Sequence, residues 1–275
     1  MTNNTNFLVV GGTGKTGRRV TDRLRARNLP VRAVSRSTEP PFDWSDETTW
    51  GPVLDGVDTA YLTFYPDLVL PGAPEIIRAF TTLAVAKGVR RLVLLSGRGE
   101  EEAETCERVV QEAGADWTIV RCSWFAQNFS EHFLLPPVLT GEIALPVGSV
   151  AEPFVDLDDV ADVVVETLTS PGHDGRVYEL TGPRLLTFAD VAAEISEAAG
   201  REVGHRSVTP EEFVAAATAL GVPAEEATML VELFDRVLDG RNAHVSDDIE
   251  RVLGRPATDF ADYAKAAAAT GVWTQ

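Results

Sequence analysis

The chain of 275 residues is poor in cysteine and in long apolar runs, and each shortage excludes a class of protein. Its two cysteines, Cys106 and Cys122, show neither a CxxC spacing nor a nearby histidine, which excludes a disulfide scaffold and a zinc site. No stretch reaches the roughly 18 apolar residues of a membrane-spanning helix, and the first residues lack the pattern of a signal peptide. These absences favour a cytoplasmic protein without a membrane partner.

Positive charge is also scarce, since 24 lysines and arginines stand against 42 aspartates and glutamates, a formal charge of -18. Phosphate backbones would be repelled over most of such a surface, which excludes general binding of nucleic acids or anionic membranes. A small molecule is therefore the expected partner. The length and the 44% of hydrophobic residues allow a large core without covalent staples.

Strand patterns alternate with helix patterns through the first half of the chain. Runs of β-branched and aliphatic residues predict buried strands at 7–11, 31–35, 59–64, 91–96 and 117–121. Amphipathic stretches predict helices between them at 15–27, 73–87 and 101–113. A short strand is expected near Phe42 to Trp44, and another at 177–180. The alternation predicts an α/β protein with a Rossmann-type, doubly wound parallel sheet.

The texture changes after Arg121, where the chain becomes aromatic and nearly uncharged and then, from Thr187, mainly helical. We expect a dinucleotide-binding Rossmann domain over 1–150 and a smaller, mainly helical substrate domain over 151–275. Residues 153–180 are expected to return to the Rossmann sheet, because they contain a helix pattern followed by a strand pattern.

A glycine-rich loop follows the first predicted strand and opens the first predicted helix. Its residues are Gly11, Gly12, Thr13, Gly14, Lys15, Thr16 and Gly17. Glycines at this spacing allow a tight turn and the close approach of a pyrophosphate, while the helix N-terminus supplies N–H donors. A Walker A motif would need glycine at position 9, which is Val9, so nucleotide triphosphate hydrolysis is excluded.

The end of the second predicted strand indicates which dinucleotide is bound. An acidic residue there accepts the ribose 2′-hydroxyl of NAD, whereas an arginine pairs with the 2′-phosphate of NADP. The chain continues with Ser35 and Arg36, and its first carboxylate is Glu39. The sequence therefore predicts NADP(H), although Arg36 could also be merely an exposed arginine.

The catalytic pair of ordinary short-chain dehydrogenases is missing. That pair is a tyrosine with a lysine four residues later, in which the lysine lowers the pKa of the tyrosine. The chain has only Lys15, Lys87 and Lys265, and none of them has a tyrosine four residues before it. Reduction of a simple ketone is therefore disfavoured. An iminium carbon needs no proton, and a quinone needs only a donor for its oxyanion.

The whole chain resembles the NmrA-like group of atypical short-chain dehydrogenases through VGGTGKTGRRV, VRAVSRS, GVRRLVLLSGRG and GADWTIVRCSWFAQNF. Within that group it is most similar to bacterial relatives of ergot-alkaloid iminium reductases, and more loosely to NADPH:quinone oxidoreductases. The similarity runs from about Phe7 to Trp273. It implies an NADP(H)-binding Rossmann domain with a smaller, mainly C-terminal domain over the nicotinamide.

The resemblance also implies roles for individual residues. The glycine loop would line the pyrophosphate, Ser35 and Arg36 the 2′-phosphate, and a further set the rest of the cofactor: Thr63, Phe64, Tyr65, Ser96, Gly97 and Arg98. Trp124, Phe125 and Asn128 would border the substrate pocket, although Trp124 and Phe125 could equally be core residues. The catalytic residues stay unidentified, and solvent, Ser96 or Tyr65 could supply a donor for a quinone oxyanion. Where relatives carry the tyrosine and lysine, this chain reads EEEAETCERVV, so acid catalysis from that helix is not expected.

The expected function is NADPH-dependent reduction of a small aromatic, quinonoid or alkaloid-like molecule, with hydride passing to an iminium, imine or quinone. Two alternatives stay open. One is a non-catalytic NADP(H) sensor like NmrA itself, which the missing tyrosine and lysine would fit. The other is a redox-neutral isomerase or cyclase that retains the dinucleotide. The acidic group Asp156, Asp158, Asp159 and Asp162 is better explained as a capped helix with an acidic face than as a metal site.

Overall fold

The computed structural model describes residues 5–219 and 221–274. Its strands are β1 Phe7–Val10, β2 Val31–Val34, β3 Thr59–Leu62, β4 Arg91–Gly97, β5 Asp116–Cys122, β6 Glu142–Leu145, β7 Ala151–Glu152, β8 Arg176–Leu180, β9 Leu186–Thr187 and β10 Gly204–Ser207. Its α-helices are α1 Lys15–Ala26, α2 Trp50–Leu54, α3 Ala73–Ala86, α4 Glu101–Gln111, α5 Asn128–Glu131, α6 Leu135–Thr140, α7 Leu157–Thr169, α8 Phe188–Ala199, α9 Pro210–Ala219, α10 Ala224–Val237, α11 Asp248–Leu253 and α12 Phe260–Ala269. A short 3₁₀ helix, Glu47–Thr49, precedes α2.

The described chain divides into two compact units. The first contains the residues up to Cys122 together with Leu157–Leu180 and Asp248–Arg255, and the second contains Ser123–Asp156, Thr181–Asp247 and the residues from Pro256 onward. The chain thus enters the second unit at Ser123, earlier than the boundary expected at residue 150. The reason is that β6 pairs with β10, and Phe129 and Val138 are buried in the core of the second unit.

The first unit is built on a six-stranded parallel sheet in the order β2-β1-β3-β4-β5-β8. The sequence prediction of a Rossmann-type, doubly wound α/β fold is confirmed. From β1 the chain passes to β2 on one side of β1, and it then crosses to β3 on the other side. The strand order therefore reverses between β1 and β3. Ligands of such sheets bind at the carboxyl ends of the strands beside this reversal.

The prediction of a short strand near Phe42 to Trp44 was wrong. Within the described residues, this segment forms only an isolated bridge between Asp43 and Asp46. Side chains rather than ladder hydrogen bonds hold it, because the Trp44 ring packs edge-on against Phe42 and Phe80 at centroid distances of 5.0 Å each. The Trp44 indole also donates to the Thr63 carbonyl at 3.0 Å. Aromatic burial therefore replaces strand pairing.

Arginines neutralise the acidic face of α7. Arg23 on α1 contacts Asp158 at 2.8 Å and Asp162 at 2.5 Å, and Arg255 contacts Asp159 and Asp162 at 2.7 Å each. These pairs tie α1 and the segment after α11 to α7. The aspartates thus serve to pack helices of the first unit.

The second unit surrounds an aromatic core. Phe129, Phe154, Phe188 and Trp273 are almost completely buried, and the Trp273 indole donates to the Phe129 carbonyl at 2.9 Å. Two small sheets, β6 with β10 and β7 with β9, border this core. Across both units, none of the helices in the described residues is long and apolar enough to cross a membrane.

Candidate functional site

The glycine loop joins β1 to α1 at the carboxyl edge of the sheet. Gly11 adopts a left-handed φ of 72°, and its carbonyl accepts the N–H of Gly14 at 2.8 Å, which closes a tight turn. The Gly12 N–H donates to the Val34 carbonyl at 2.9 Å, which fixes the loop to the end of β2. Gly14 is the extended N-cap of α1 and has no capping side chain. No N-cap side chain therefore accepts a hydrogen bond from the N–H groups in the first turn of α1.

Three of the four loop glycines are required by packing. A Cβ atom on Gly11 would lie 2.1 Å from the Thr63 hydroxyl oxygen, one on Gly12 would lie 2.6 Å from the Ala33 Cβ, and one on Gly17 would lie 2.2 Å from the Gly11 carbonyl oxygen. Gly14 differs, since it is exposed and its Cβ would meet only that carbonyl oxygen, at 3.2 Å. Its lack of a side chain keeps the surface beside the helix N-terminus open.

This cradle fits the pyrophosphate of a dinucleotide. The backbone donors and partial positive charge of the α1 N-terminus favour an anion, and the open space beside Gly14 allows its close approach. Thr13 is exposed at the tip of the loop and Lys15 is half-buried in the first turn of α1, while Thr16 is buried. The residues predicted for the loop therefore lie together around one helix end.

The loops after β2 and β3 bring Arg36 against Tyr65. The Arg36 guanidinium lies 4.9 Å from the centroid of the Tyr65 ring, and the Tyr65 side chain is 64% exposed. Such a pair is stabilised by attraction between the cation and the ring face. Ser35 shares hydrogen bonds with Ser37 and Thr38, while Phe64 packs on Trp44 at 5.1 Å. Sequence reasoning selected Arg36 and Tyr65 separately but did not anticipate their contact.

Ser96 is engaged by a buried ion pair. Its hydroxyl donates to a Glu107 carboxylate oxygen at 2.6 Å, and Glu107 is 1% exposed. Arg121 on β5 donates to both oxygens of that carboxylate, at 2.8 Å and 2.6 Å, and these hydrogen bonds raise the pKa of Arg121. The Ser96 proton is thereby directed toward α4. The catalytic role predicted for Ser96 stays a prediction.

The end of β4 is fixed by its neighbours. Gly97 lies opposite Cys122 in the register of β4 and β5. Arg98 is buried and its Nε donates to Glu179 on β8 at 3.0 Å. The three residues predicted to approach the cofactor, Ser96, Gly97 and Arg98, therefore lie at the carboxyl edge of the sheet. The side chains of Ser96 and Arg98 form hydrogen bonds to α4 and β8.

Sequence reasoning missed Glu100, which lies at this edge. Its carboxyl group covers Gly97, since a Cβ on Gly97 would be 2.4 Å from the Glu100 carboxyl carbon and from each of its oxygens. Burial, followed by the negative charges of Asp67, Glu102 and Glu107, raises the pKa of Glu100 to about 8. The acidic run that starts α4 is typical of an exposed helix N-terminus, so nothing in the sequence indicates this buried environment.

Trp124, Phe125 and Asn128 lie in the second unit. The Trp124 ring stacks on Phe234 at 5.5 Å with an angle of 30° and meets Phe188 edge-on at 6.2 Å. The Phe125 segment is aligned with Val155, because Val155 donates to the Trp124 carbonyl at 2.8 Å. Asn128 is buried, whereas Trp124 and Phe125 are half-buried. Trp124 and Phe125 are thus not completely buried, and their role in a substrate pocket stays a prediction.

A family model of NAD(P)H-binding proteins matches residues 11–171. The chain is 32% identical to the NAD(P)H azoreductase of Xenophilus azovorans, over 96% of this chain and 98% of that protein. It is 31% identical to the agroclavine dehydrogenase of Claviceps fusiformis, over 94% and 95% of the two chains. Its fold matches the structure of Citrobacter sp. triphenylmethane reductase complexed with NADP(H), with a TM-score of 0.81, 22% identity and coverage of 95% and 99%.

Proposed function

The chain belongs to the NAD(P)H-binding, NmrA-like family and is an oxidoreductase, and from this premise we propose that it uses NADPH to reduce a small conjugated or cationic acceptor. The acceptor is an iminium, imine, quinone or azo compound. When bound, the dinucleotide supplies the hydride. The protein binds and orients both molecules and excludes water from them.

The observation that carries the choice of NADPH is the position of Arg36. This exposed arginine stands two residues after β2, and no carboxylate precedes it between the strand end and position 36. A guanidinium there pairs with a 2′-phosphate, while a carboxylate would have accepted the 2′-hydroxyl of NAD. Tyr65, already beside Arg36, would flank the adenosine half. The loop from Gly11 to Gly17 would hold the pyrophosphate.

The choice of acceptor follows from the catalytic groups. The sequence lacks the tyrosine and lysine pair that protonates an alkoxide, so acceptors that are already cationic or that delocalise the added charge are favoured. Trp124 and Phe125 are half-buried aromatic residues, and stacking on such rings would hold a flat acceptor. The two relatives, an azoreductase and an agroclavine dehydrogenase, have names consistent with conjugated and alkaloid acceptors.

Calorimetric titration with NADPH and NADH tests the cofactor. The unaltered protein is expected to bind NADPH more tightly, and Arg36→Glu is expected to weaken NADPH at least a hundredfold while changing NADH little. Arg25→Glu is the matched control, because Arg25 is an exposed arginine on α1. Equal affinity of the unaltered protein for both dinucleotides would overturn the assignment.

Turnover tests the reductase activity. The protein is mixed with NADPH and with cyclic iminium salts, quinones or azo dyes, and NADPH absorbance is followed with NADH as the control. Oxidation with at least one class is expected. Tight NADPH binding without oxidation in any mixture would instead favour the sensor or the redox-neutral enzyme.

A further inference from the structure

A carboxyl group stands at the carboxyl edge of the sheet without a role in the fold described so far. Glu100 immediately precedes α4, and its side chain turns back over Gly97, the last residue of β4. Its carboxyl carbon and both oxygens lie 2.4 Å from the position that a Gly97 Cβ would occupy. The absence of a side chain at Gly97 is therefore what admits the carboxyl group to this place.

The position is on the side of the sheet where the reactive end of a dinucleotide belongs. The glycine loop follows β1 and Arg36 follows β2, so the adenosine half is assigned to the β2 side. The sheet order then places β4 two strands from β1 on the side away from β2, beyond β3, whose following loop carries Tyr65. A group at the end of β4 consequently lies toward the nicotinamide rather than toward the 2′-phosphate.

The surroundings of Glu100 favour its uncharged form. The charged groups that act on it are Asp67, in the loop after β3, and Glu102 and Glu107, on α4, and all three are acidic. Together with burial they raise the pKa of Glu100 to about 8, so most of it carries a proton at neutral pH. A neutral carboxylic acid can donate a proton, whereas a carboxylate can only accept one.

The two donors predicted from the sequence are otherwise engaged or lie elsewhere. The Ser96 hydroxyl donates to Glu107, and Tyr65 lies beside Arg36 after β3. The first of them is held toward α4, and the second stands at the site assigned to adenosine.

We infer that Glu100 is the proton donor for acceptors whose reduction creates negative charge, quinones and azo compounds, an inference that rests on the proposed function. A quinone or azo bond takes up the hydride, which consists of two electrons and one hydrogen nucleus. The acceptor becomes an anion while the nicotinamide is oxidised. The O–H bond of Glu100 breaks as an O–H or N–H bond forms on the acceptor. The resulting carboxylate then takes a proton from solvent. An iminium ion gains only the hydride and becomes a neutral amine, so it does not need Glu100.

The test compares Glu100→Gln with the control Glu101→Gln, an exposed neighbour in the first turn of α4. Each variant and the unaltered protein are assayed with NADPH against one quinone, one azo dye and one cyclic iminium salt across pH 5 to 9. Because a positioned acid contributes about 10² to 10⁴ in rate, Glu100→Gln is expected to slow the quinone and azo reactions about a hundredfold. The iminium reaction is expected to change less than about twofold.

The pH profiles separate proton donation from a structural role. In the unaltered protein kcat/KM for the quinone should fall above about pH 8, as Glu100 loses its proton, and this fall should be missing in Glu100→Gln. Equal slowing of the iminium and quinone reactions would show a structural role and overturn the inference. Unchanged quinone and azo rates with an unchanged pH profile would also overturn it.

A readout without turnover checks the protonation of Glu100 in the free protein. The folded pKa lies above the unfolded value of about 4.5, so the unfolding free energy falls as pH rises from about 4.5 to about 8. Measured by urea unfolding, the difference in unfolding free energy between the unaltered protein and Glu100→Gln should show this fall, while Glu101→Gln should follow the unaltered protein. The same fall in all three proteins would contradict the inference. Failure of the unaltered protein to bind or oxidise NADPH would count against the proposed function instead.

Discussion

Substitutions of Gly14 and Gly17 are predicted to affect different properties: one at Gly17 lowers stability, and one at Gly14 lowers cofactor affinity. Both glycines belong to the loop that closes around the N-terminus of α1. A Cβ on Gly17 would meet the Gly11 carbonyl oxygen at 2.2 Å and the Gly11 carbonyl carbon at 2.7 Å. Since these are backbone atoms of the same loop, the loop must move. Gly17→Ala should therefore destabilise the fold by about 1–3 kcal/mol, which lowers Tm by several degrees in a chain of this size.

Gly14→Asp, in contrast, should leave the stability of the fold almost unchanged. Gly14 is exposed, and a Cβ there meets only the Gly11 carbonyl oxygen at 3.2 Å, which a shift of a few tenths of an ångström relieves. Its extended conformation is that of an N-cap, where aspartate is slightly better than glycine, by a few tenths of a kcal/mol. Tm should therefore change by about one degree or less.

The same aspartate should abolish dinucleotide binding. A carboxylate about 4 Å from one phosphate charge is repelled by about 4 kcal/mol at the effective dielectric of a protein surface, roughly a thousandfold in Kd. Thermal unfolding and calorimetric titration with NADPH are measured on Gly14→Asp, Gly14→Ala and Gly17→Ala. The assignment of this loop as the pyrophosphate site would be refuted if Gly14→Asp bound NADPH like the unaltered protein. A loss of many degrees of Tm in Gly14→Asp would also refute it.

Two further predictions concern ion pairs. Arg121→Met leaves Glu107, 1% exposed, without its charged partner, so it should cost about 3 kcal/mol in urea unfolding, while Arg108→Met on the exposed face of α4 should cost less than about 0.5 kcal/mol. Equal costs would contradict the assigned pair. Hydrogen bonds from Arg184 lower the pKa of Asp259, so their stabilisation is present above about pH 4 and is lost as pH falls through the folded pKa. Arg184→Met should therefore cost about 1 kcal/mol at pH 7 and converge with the unaltered protein near pH 2, and a constant difference across that range would argue against it.

The parts of the fold that could be predicted from sequence are those set by local signals. Buried strands appear as runs such as FLVV at β1, and the glycine loop follows that strand directly, so both its position and its partner helix were predicted. The alternation of strands and helices then predicted a parallel sheet, because parallel neighbours need a crossover connection, which is usually a helix. Arg36 was identified because its distance from the loop is set by the same unit.

The parts that could not be predicted depend on contacts distant in sequence. A strand was expected around Trp44 only because the alternation required one there, whereas its indole bonds to Thr63 and its ring packs on Phe80, so aromatic packing holds the segment without a strand. The pairing of β6 with β10 moved residues after Cys122 into the second unit. Glu100 looked like part of a solvated acidic run, and only the tertiary structure places its carboxyl group over Gly97.

The balance between NADPH consumed and acceptor reduced decides whether the protein is an NADPH-dependent reductase. Purified protein is incubated with known amounts of NADPH and each acceptor, and NADP⁺ and the reduced acceptor are both quantified. One two-electron reduction is expected for each NADPH oxidised, with at least one of the iminium, quinone and azo classes; an azo bond cleaved to two amines therefore consumes two NADPH. Conversion of an acceptor with NADPH unchanged, or NADPH that is bound but never oxidised, would contradict this expectation.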